Sequence, residues 1–298
     1  MNNGIVRATV YTVFFFVCLV FFTYRGFPLG LVQSRIEREV HRRTGMKMTA
    51  GQMNLLFPNG IEAKTVRLMK ESDQPDKPGI VILLPEISAR ISPLSLFGSS
   101  KDFSFSGQLL TGKVEGDIHL SKGSIKLKTS LHSVDLGRLP FWKDLLGMAF
   151  AGKLTAKGDL SLNPKDIKTT KGTLELSLVQ GSIGQGTIKG LSTPSINLGK
   201  TVANLEIDKG KINIKSFNVH SDDLEASMEG YFLLQKQLSQ LSARCKLRVK
   251  PSADFLGRNP KFKDIINLSG MNRAKDKDGF FSYSMYGRLT HPQFRAAK

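Results

Sequence analysis

The stretch Val114–Leu131, VEGDIHLSKGSIKLKTSL, alternates apolar and polar residues on both sides of a Lys122-Gly123 break. Val114, Gly116, Ile118 and Leu120 fall on one side, with Glu115, Asp117 and His119 on the other. After the break, Ile125, Leu127 and Leu131 continue the first set, and Lys126, Lys128 and Ser130 continue the second. A period of two is that of a β-strand, whose successive side chains point to opposite faces. A glycine between two such runs supplies the turn, so the stretch reads as a hairpin with one apolar and one charged face.

The same unit recurs along the chain. Val202–Asp208 turns at Lys209-Gly210 into Ile212 and Ile214. Leu154–Leu162, the set Leu174, Leu176 and Leu178, Leu224–Leu234, and the set Cys245, Leu247 and Val249 repeat the alternation. Strands that follow one another through short turns, with no helix between them, argue for antiparallel sheet. The expected fold is mainly β, an elongated antiparallel sheet with a few short helices.

Helical periodicity is confined to a few places. In Leu29–Arg43, LGLVQSRIEREVHRR, Val32, Ile36 and Val40 recur at helical spacing opposite Arg35, Arg38 and Arg42, and Gly45 is placed to end the helix. This amphipathic segment fits a cap on the first strands. Shorter helices are expected within Gly137–Phe150, which carries Trp142, and within Ser252–Leu268. Glu71–Gly79 and Met271–Gly279 read as polar loops.

Ahead of these lies Ala8–Tyr24, an uncharged run bracketed by Arg7 and Arg25. About 17 apolar residues rise roughly 25 Å as a helix, near the lower limit for a bilayer core, and flanking arginines can snorkel to extend the span. The residues after it, Thr23-Tyr24-Arg25-Gly26-Phe27-Pro28, lack the small-residue cleavage pattern of a secretory signal. An uncleaved anchor is expected over 1–27, with its transmembrane part at about 6–25, then the amphipathic helix over 28–45 and a β domain over 46–298. The Lys and Arg count alone, concentrated after Arg25, would place the bulk of the chain in the cytoplasm.

The chain has 298 residues, 40% of them hydrophobic, with a formal charge of +18 and a pI near 9.9. Its basic residues are spread along the strands, and no basic helix, zinc-finger spacing or aromatic RNA-binding strand gathers them, so nucleic acid is not an expected partner. An anionic membrane surface suits the charge better. Of the two cysteines, Cys18 lies in the apolar run and Cys245 in a strand, so no disulfide framework is implied.

Signals for catalysis are absent from the sequence. Gly181–Gly190, GSIGQGTIKG, has Lys189 where a dinucleotide fingerprint needs its third glycine, and reads as a turn or strand kink. His41, His119, His132, His220 and His291 have no second ligand at metal spacing, and His119 and His220 fall on polar strand faces. No G-x-S-x-G elbow occurs. The expectation is a protein without enzymatic activity, cofactor or metal. What remains is the apolar face, for which Ile118, Leu127, Leu176, Ile207, Ile214 and Leu247 are candidate lipid-contact residues. A second sheet could cover that face in a closed sandwich, or it could line a trough that takes phospholipid acyl chains.

Several segments together resemble a known family. The short anchor, the amphipathic helix ending in Thr44-Gly45, and Met53–Met69, MNLLFPNGIEAKTVRLM, are similar to the opening of the periplasmic AsmA-like proteins. Leu139–Leu162, LPFWKDLLGMAFAGKLTAKGDLSL, resembles the family's G-x-L-x-x-x-G-D-L-x-L strand, and Gly230–Ala253 resembles a late strand pair. In size and order the chain looks most like the AsmA-like variant of the type II secretion protein N family. The resemblance implies a single-pass protein of the bacterial inner membrane with a periplasmic β domain. It further implies an accessory role beside other type II secretion components, or alternatively lipid binding or transfer, and no catalytic residues.

Overall fold

The structure, a computed structural model, describes residues 10–15, 18, 21–22, 24–70, 80–96, 98–139, 148–163, 166–188, 191–235, 241–268, 274–288 and 293–297. The fold is mainly β, as the alternation predicts. Its strands are β1 (Lys47–Leu56), β2 (Gly60–Lys70), β3 (Ile80–Ile91), β4 (Lys101–Leu109), β5 (Gly112–Ser121), β6 (Ser124–Asp135), β7 (Met148–Leu162) and β8 (Lys171–Ile188). They continue as β9 (Leu191–Thr193), β10 (Ile196–Asp208), β11 (Lys211–His220), β12 (Leu224–Leu233), β13 (Ser242–Pro251), β14 (Phe281–Arg288) and β15 (Gln293–Ala296).

All belong to one sheet. Fourteen strands follow one path in chain order from β1 to β15, each antiparallel to the next, while β9 pairs with β8 alone. The path is open, with β1 at one end and β15 at the other. At about 4.8 Å per strand spacing, such a path runs roughly 60 Å. The substantial contacts are between strands adjacent in this order. Among the described residues no second sheet exists, so the two sheets of a sandwich do not form.

The turns follow the sequence signals. Lys209 and Gly210 both take positive φ, 49° and 72°, between the paired residues Asp208 and Lys211. That is the combination a two-residue hairpin needs to match the strand twist. Gly123 turns β5 into β6 at φ 80°. Gly181–Ile188, the glycine-rich segment, is strand within β8.

Helix α1 spans Leu29–Thr44 and ends at Gly45 in the left-handed region, whose N–H donates to His41 O at 2.8 Å. It packs on β1, as a cap should. Gln33 donates to Ala50 O at 3.2 Å, and Tyr24, just before the helix, donates its hydroxyl to Leu55 O at 2.6 Å. Backbone acceptors of a terminal strand are thereby satisfied, which protects the edge from further pairing. Two helices, α2 (Ala253–Arg258) and α3 (Pro260–Leu268), fill the expected helical region after β13. Ser252 caps α2 by accepting from Phe255 N, and the Phe255 ring, 2% exposed, meets Phe262 edge-on at 5.8 Å.

Two expectations change. Of the helix expected over Gly137–Phe150, Leu136–Arg138 is a single 3₁₀ turn and Met148–Phe150 begin β7; residues 140–147, with Trp142, lie outside the described residues. Within the expected anchor, residues 10–15, 18, 21–22 and 24–25 are helical and the remainder of the apolar run lies outside the described residues. Among the described residues no helix is long and apolar enough to cross a membrane. The Glu71–Gly79 loop also lies outside them.

Candidate functional site

Residues directly opposite each other on paired strands share a face. Register therefore shows how the candidate apolar residues are arranged. Ile118 on β5 pairs with Phe103 on β4 and Leu127 on β6, and Leu127 pairs in turn with Leu160 on β7. On the same side of β7, Gly158 pairs with Leu174 on β8, and Ala156 pairs with Leu176. Leu176 then pairs with Ala203 on β10. Ile207 follows on β10 opposite Ile212, and Leu205 stands opposite Ile214 on β11. Through Gly230 the row reaches Cys245, with Met228, Leu247 and Tyr283 paired beside it on β12, β13 and β14. All six candidates thus lie on one face of one sheet.

Burial along this face is uneven. Ile207 and Ile214 are 9% exposed, whereas Ile118, Leu127, Leu176 and Leu247 are half-buried. The buried clusters form between neighbouring strands. Val134, Leu136 and Leu178 gather Leu131, Phe150 and Leu154, and Ile214, Ala243 and Cys245 gather Leu205, Phe217 and Met285. Between them run small residues. Gly116 lies under the Phe105 ring, and Gly158 sits against the Leu174 side chain. Gly230, at φ 121°, lies against the backbone at Arg244 and Cys245.

The first strands keep their apolar residues on one side by a local irregularity. Ala63 and Val66, three residues apart, are both buried, because Thr65 between them takes φ 54°. Gly51, without a side chain, faces Thr65 from β1, and Pro85 lies across from Thr65 on β3. Register continues unshifted across this point, with Lys64 opposite Gln52 and Val66 opposite Ala50, so no residue is inserted and the left-handed Thr65 backbone alone re-aims the side chains.

The opposite face is polar and laced with ion pairs. Lys113 reaches Glu115 at 2.5 Å, Lys215 reaches Glu206 at 2.5 Å and Lys128 reaches Asp159 at 3.7 Å. The hydrogen bond and charge of Lys113 hold the Glu115 carboxyl below its usual range. His119, on the polar face, bonds the Asp102 carboxylate through Nδ1, and His132 lies 3.5 Å from Glu115. Near β14, Arg248 donates to Asp276 at 2.7 Å, and this bond lowers the Asp276 pKa; Asp276 also accepts from the Asp278 and Phe280 N–H groups.

Two features escape sequence reading. Asp223, 6% exposed, accepts from Arg258 at 2.6 Å and from Asn197 N at 2.7 Å, tying α2 to the β11–β12 turn and the start of β10. Its turn context hid this, since both partners are distant in sequence. The Tyr283 hydroxyl, on the apolar face opposite Leu247, is buried without a hydrogen-bond partner among the described residues, and burial raises its pKa.

Among the described residues no group of His, Cys, Asp or Glu could hold a metal ion. Comparison of the chain with protein-family models, with curated proteins and with solved structures finds no match.

Proposed function

We propose that the chain is a non-enzymatic, membrane-anchored protein of the bacterial cell envelope that holds phospholipid acyl chains along the apolar face of its open sheet. The observation that carries this reading is the placement of Ile118, Leu127, Leu176, Ile207, Ile214 and Leu247 on one face, over which no second sheet lies among the described residues. A continuous apolar strip of this length is uncommon on a protein that binds nothing. Half-buried leucines beside small residues offer apolar contact that suits a flexible hydrocarbon chain.

The run of exposed apolar side chains at Val10, Tyr11, Val13, Phe14 and Phe15, helical where described, supports the inner-membrane anchor. A periplasmic location for the sheet follows the family resemblance. An accessory role in type II secretion rests on the same resemblance, and no feature of the sheet adds to it.

The test is the lipid content of the protein purified from membranes, measured by mass spectrometry, for the parent chain, for Leu176→Asp and for Lys126→Asp on the polar face. Bound phospholipid in the parent and in Lys126→Asp, with strong loss in Leu176→Asp, is the expected result. Equal lipid in all three variants would mean that only the anchor carries it. Secretion components recovered with a lipid-free sheet would favour the accessory role.

A further inference from the structure

We infer that the polar face at the C-terminal end of the sheet, centred on Arg244, docks on an anionic phospholipid surface. This face lies opposite the apolar strip, and its docking does not depend on acyl-chain binding.

The observation is an imbalance of charge. Strands β13, β14 and β15, SARCKLRVKP, FSYSMYGR and QFRA, carry six Lys or Arg and no carboxylate. On β13 the four cations alternate, so all project from the polar face. Three of the six have acidic neighbours. Arg248 is held by Asp276 at 2.7 Å, while Lys246 and Lys250 stand opposite Glu229 and Glu225 on β12. The other three, Arg244, Arg288 and Arg295, are exposed and form no ion pair among the described residues.

Register brings these three together. Arg244 pairs with Tyr286, Arg288 with Ser242 beside Arg244, and Arg295 with Ser284 beside Tyr286. Tyrosines interleave them. Arg244 stands between Tyr231 and Tyr286; the Arg295 guanidinium lies 5.1 Å from the Tyr286 ring centre, and Lys211 Nζ lies 4.8 Å from that of Tyr231. A groove of about 730 Å³ lined by Arg244, Lys246, Ser284 and Tyr286 runs along this part of the sheet.

Arginine and tyrosine together suit a lipid interface. Guanidinium forks match phosphate oxygens, and amphipathic rings sit at headgroup level. Nucleic acid fits less well, because single strands bind by stacking bases on open aromatic faces. Here Lys211 and Arg295 already occupy the tyrosine rings. Each Lys or Arg near an anionic surface is worth about fivefold in binding, so three together are worth roughly a hundredfold.

The experiment holds the full chain in phosphatidylcholine nanodiscs and measures its flotation with vesicles of phosphatidylcholine alone or mixed with phosphatidylglycerol. The parent should float with the mixed vesicles and not with the neutral ones. The triple variant Arg244→Gln, Arg288→Gln and Arg295→Gln should lose roughly a hundredfold in affinity. The corresponding Arg→Lys triple should retain most of it, as should Lys126→Gln, Lys128→Gln and Lys157→Gln, which remove the same charge from the same face near β6 and β7. Equal loss in the two Gln triples would reduce the effect to overall charge and overturn the inference. So would flotation with neutral vesicles, no flotation of the parent, or equally strong retention on polyglutamate-coated beads, which would indicate an acidic polypeptide partner.

Discussion

Leu127 on β6 is the direct cross-strand partner of Leu160 on β7, and both stand on the side of the sheet opposite Lys126 and Ser161, which pair with each other one residue along. A slip of one residue would exchange these faces, so the hydrophobic pattern itself pins the register. Because Leu127 is half-buried, water can reach a carboxylate placed there. Leu127→Asp should cost about 1–2 kcal/mol, and Ile214→Asp, at a position 9% exposed, several kcal/mol. Thermal or chemical denaturation of both variants gives the order, and an equal loss at the two sites would show that Leu127 is covered as fully as Ile214.

Tyr283→Phe removes a buried hydroxyl that has no hydrogen-bond partner among the described residues. Deleting an unsatisfied polar group while keeping the ring should leave stability unchanged or raise it by about 1 kcal/mol. A clear destabilisation, read from denaturant midpoints, would reveal a partner for that hydroxyl.

Asp223 and Arg258 lock α2 against the sheet at 2.6 Å. Asp223→Ala removes the acceptor for both Arg258 and the Asn197 N–H, and should cost about 2–4 kcal/mol. Arg258→Ala should cost less, since its side chain is 63% exposed and the carboxylate keeps its bond from Asn197. Hydrogen exchange should show the loss concentrated in α2 and the β11–β12 turn.

Stability should fall on acidification. Asp276 and Glu115 have folded pKa values below their ordinary 3.8 and 4.5, through the hydrogen bonds from Arg248 and Lys113. A carboxyl whose pKa is depressed by folding stabilises the fold above its unfolded pKa and loses that contribution as pH drops through the folded value. Melting temperature should hold near neutrality and decline from about pH 5 downward. Asp276→Asn should flatten part of that decline, and an unchanged acid profile would show that the Arg248 bond contributes nothing to it.

Much of this architecture is legible in the residues. The alternation in Val114–Leu131 specifies strands, and positive φ at Lys209 and Gly210 follows from a Lys-Gly turn between matched runs. Parity places all six candidate residues on a single face, because every step between them passes through directly paired positions. Other features depend on contacts distant in sequence. Nothing local in Thr65 announces its left-handed backbone, which sits level with Gly51 and Pro85 on the neighbouring strands. Asp223 looks like an ordinary turn aspartate until α2 brings Arg258 to it. The cations of β13 to β15 read as one or two per strand, and strand pairing is what gathers Arg244, Arg288 and Arg295. Whether a second sheet covers the apolar face leaves no trace in periodicity, since a sandwich and an open sheet alternate alike.

The central claim, that lipid lies against the apolar face, is tested most directly by photocrosslinking in living cells. A benzophenone amino acid is placed singly at Leu127, Leu176 or Leu247, and at the neighbouring polar-face positions Lys126 and Glu175, with phospholipids radiolabelled. Adducts between the protein and phospholipid at the three leucines, and none at their neighbours, are the predicted result. Adducts absent from the leucines, or equally strong on both faces, would contradict it.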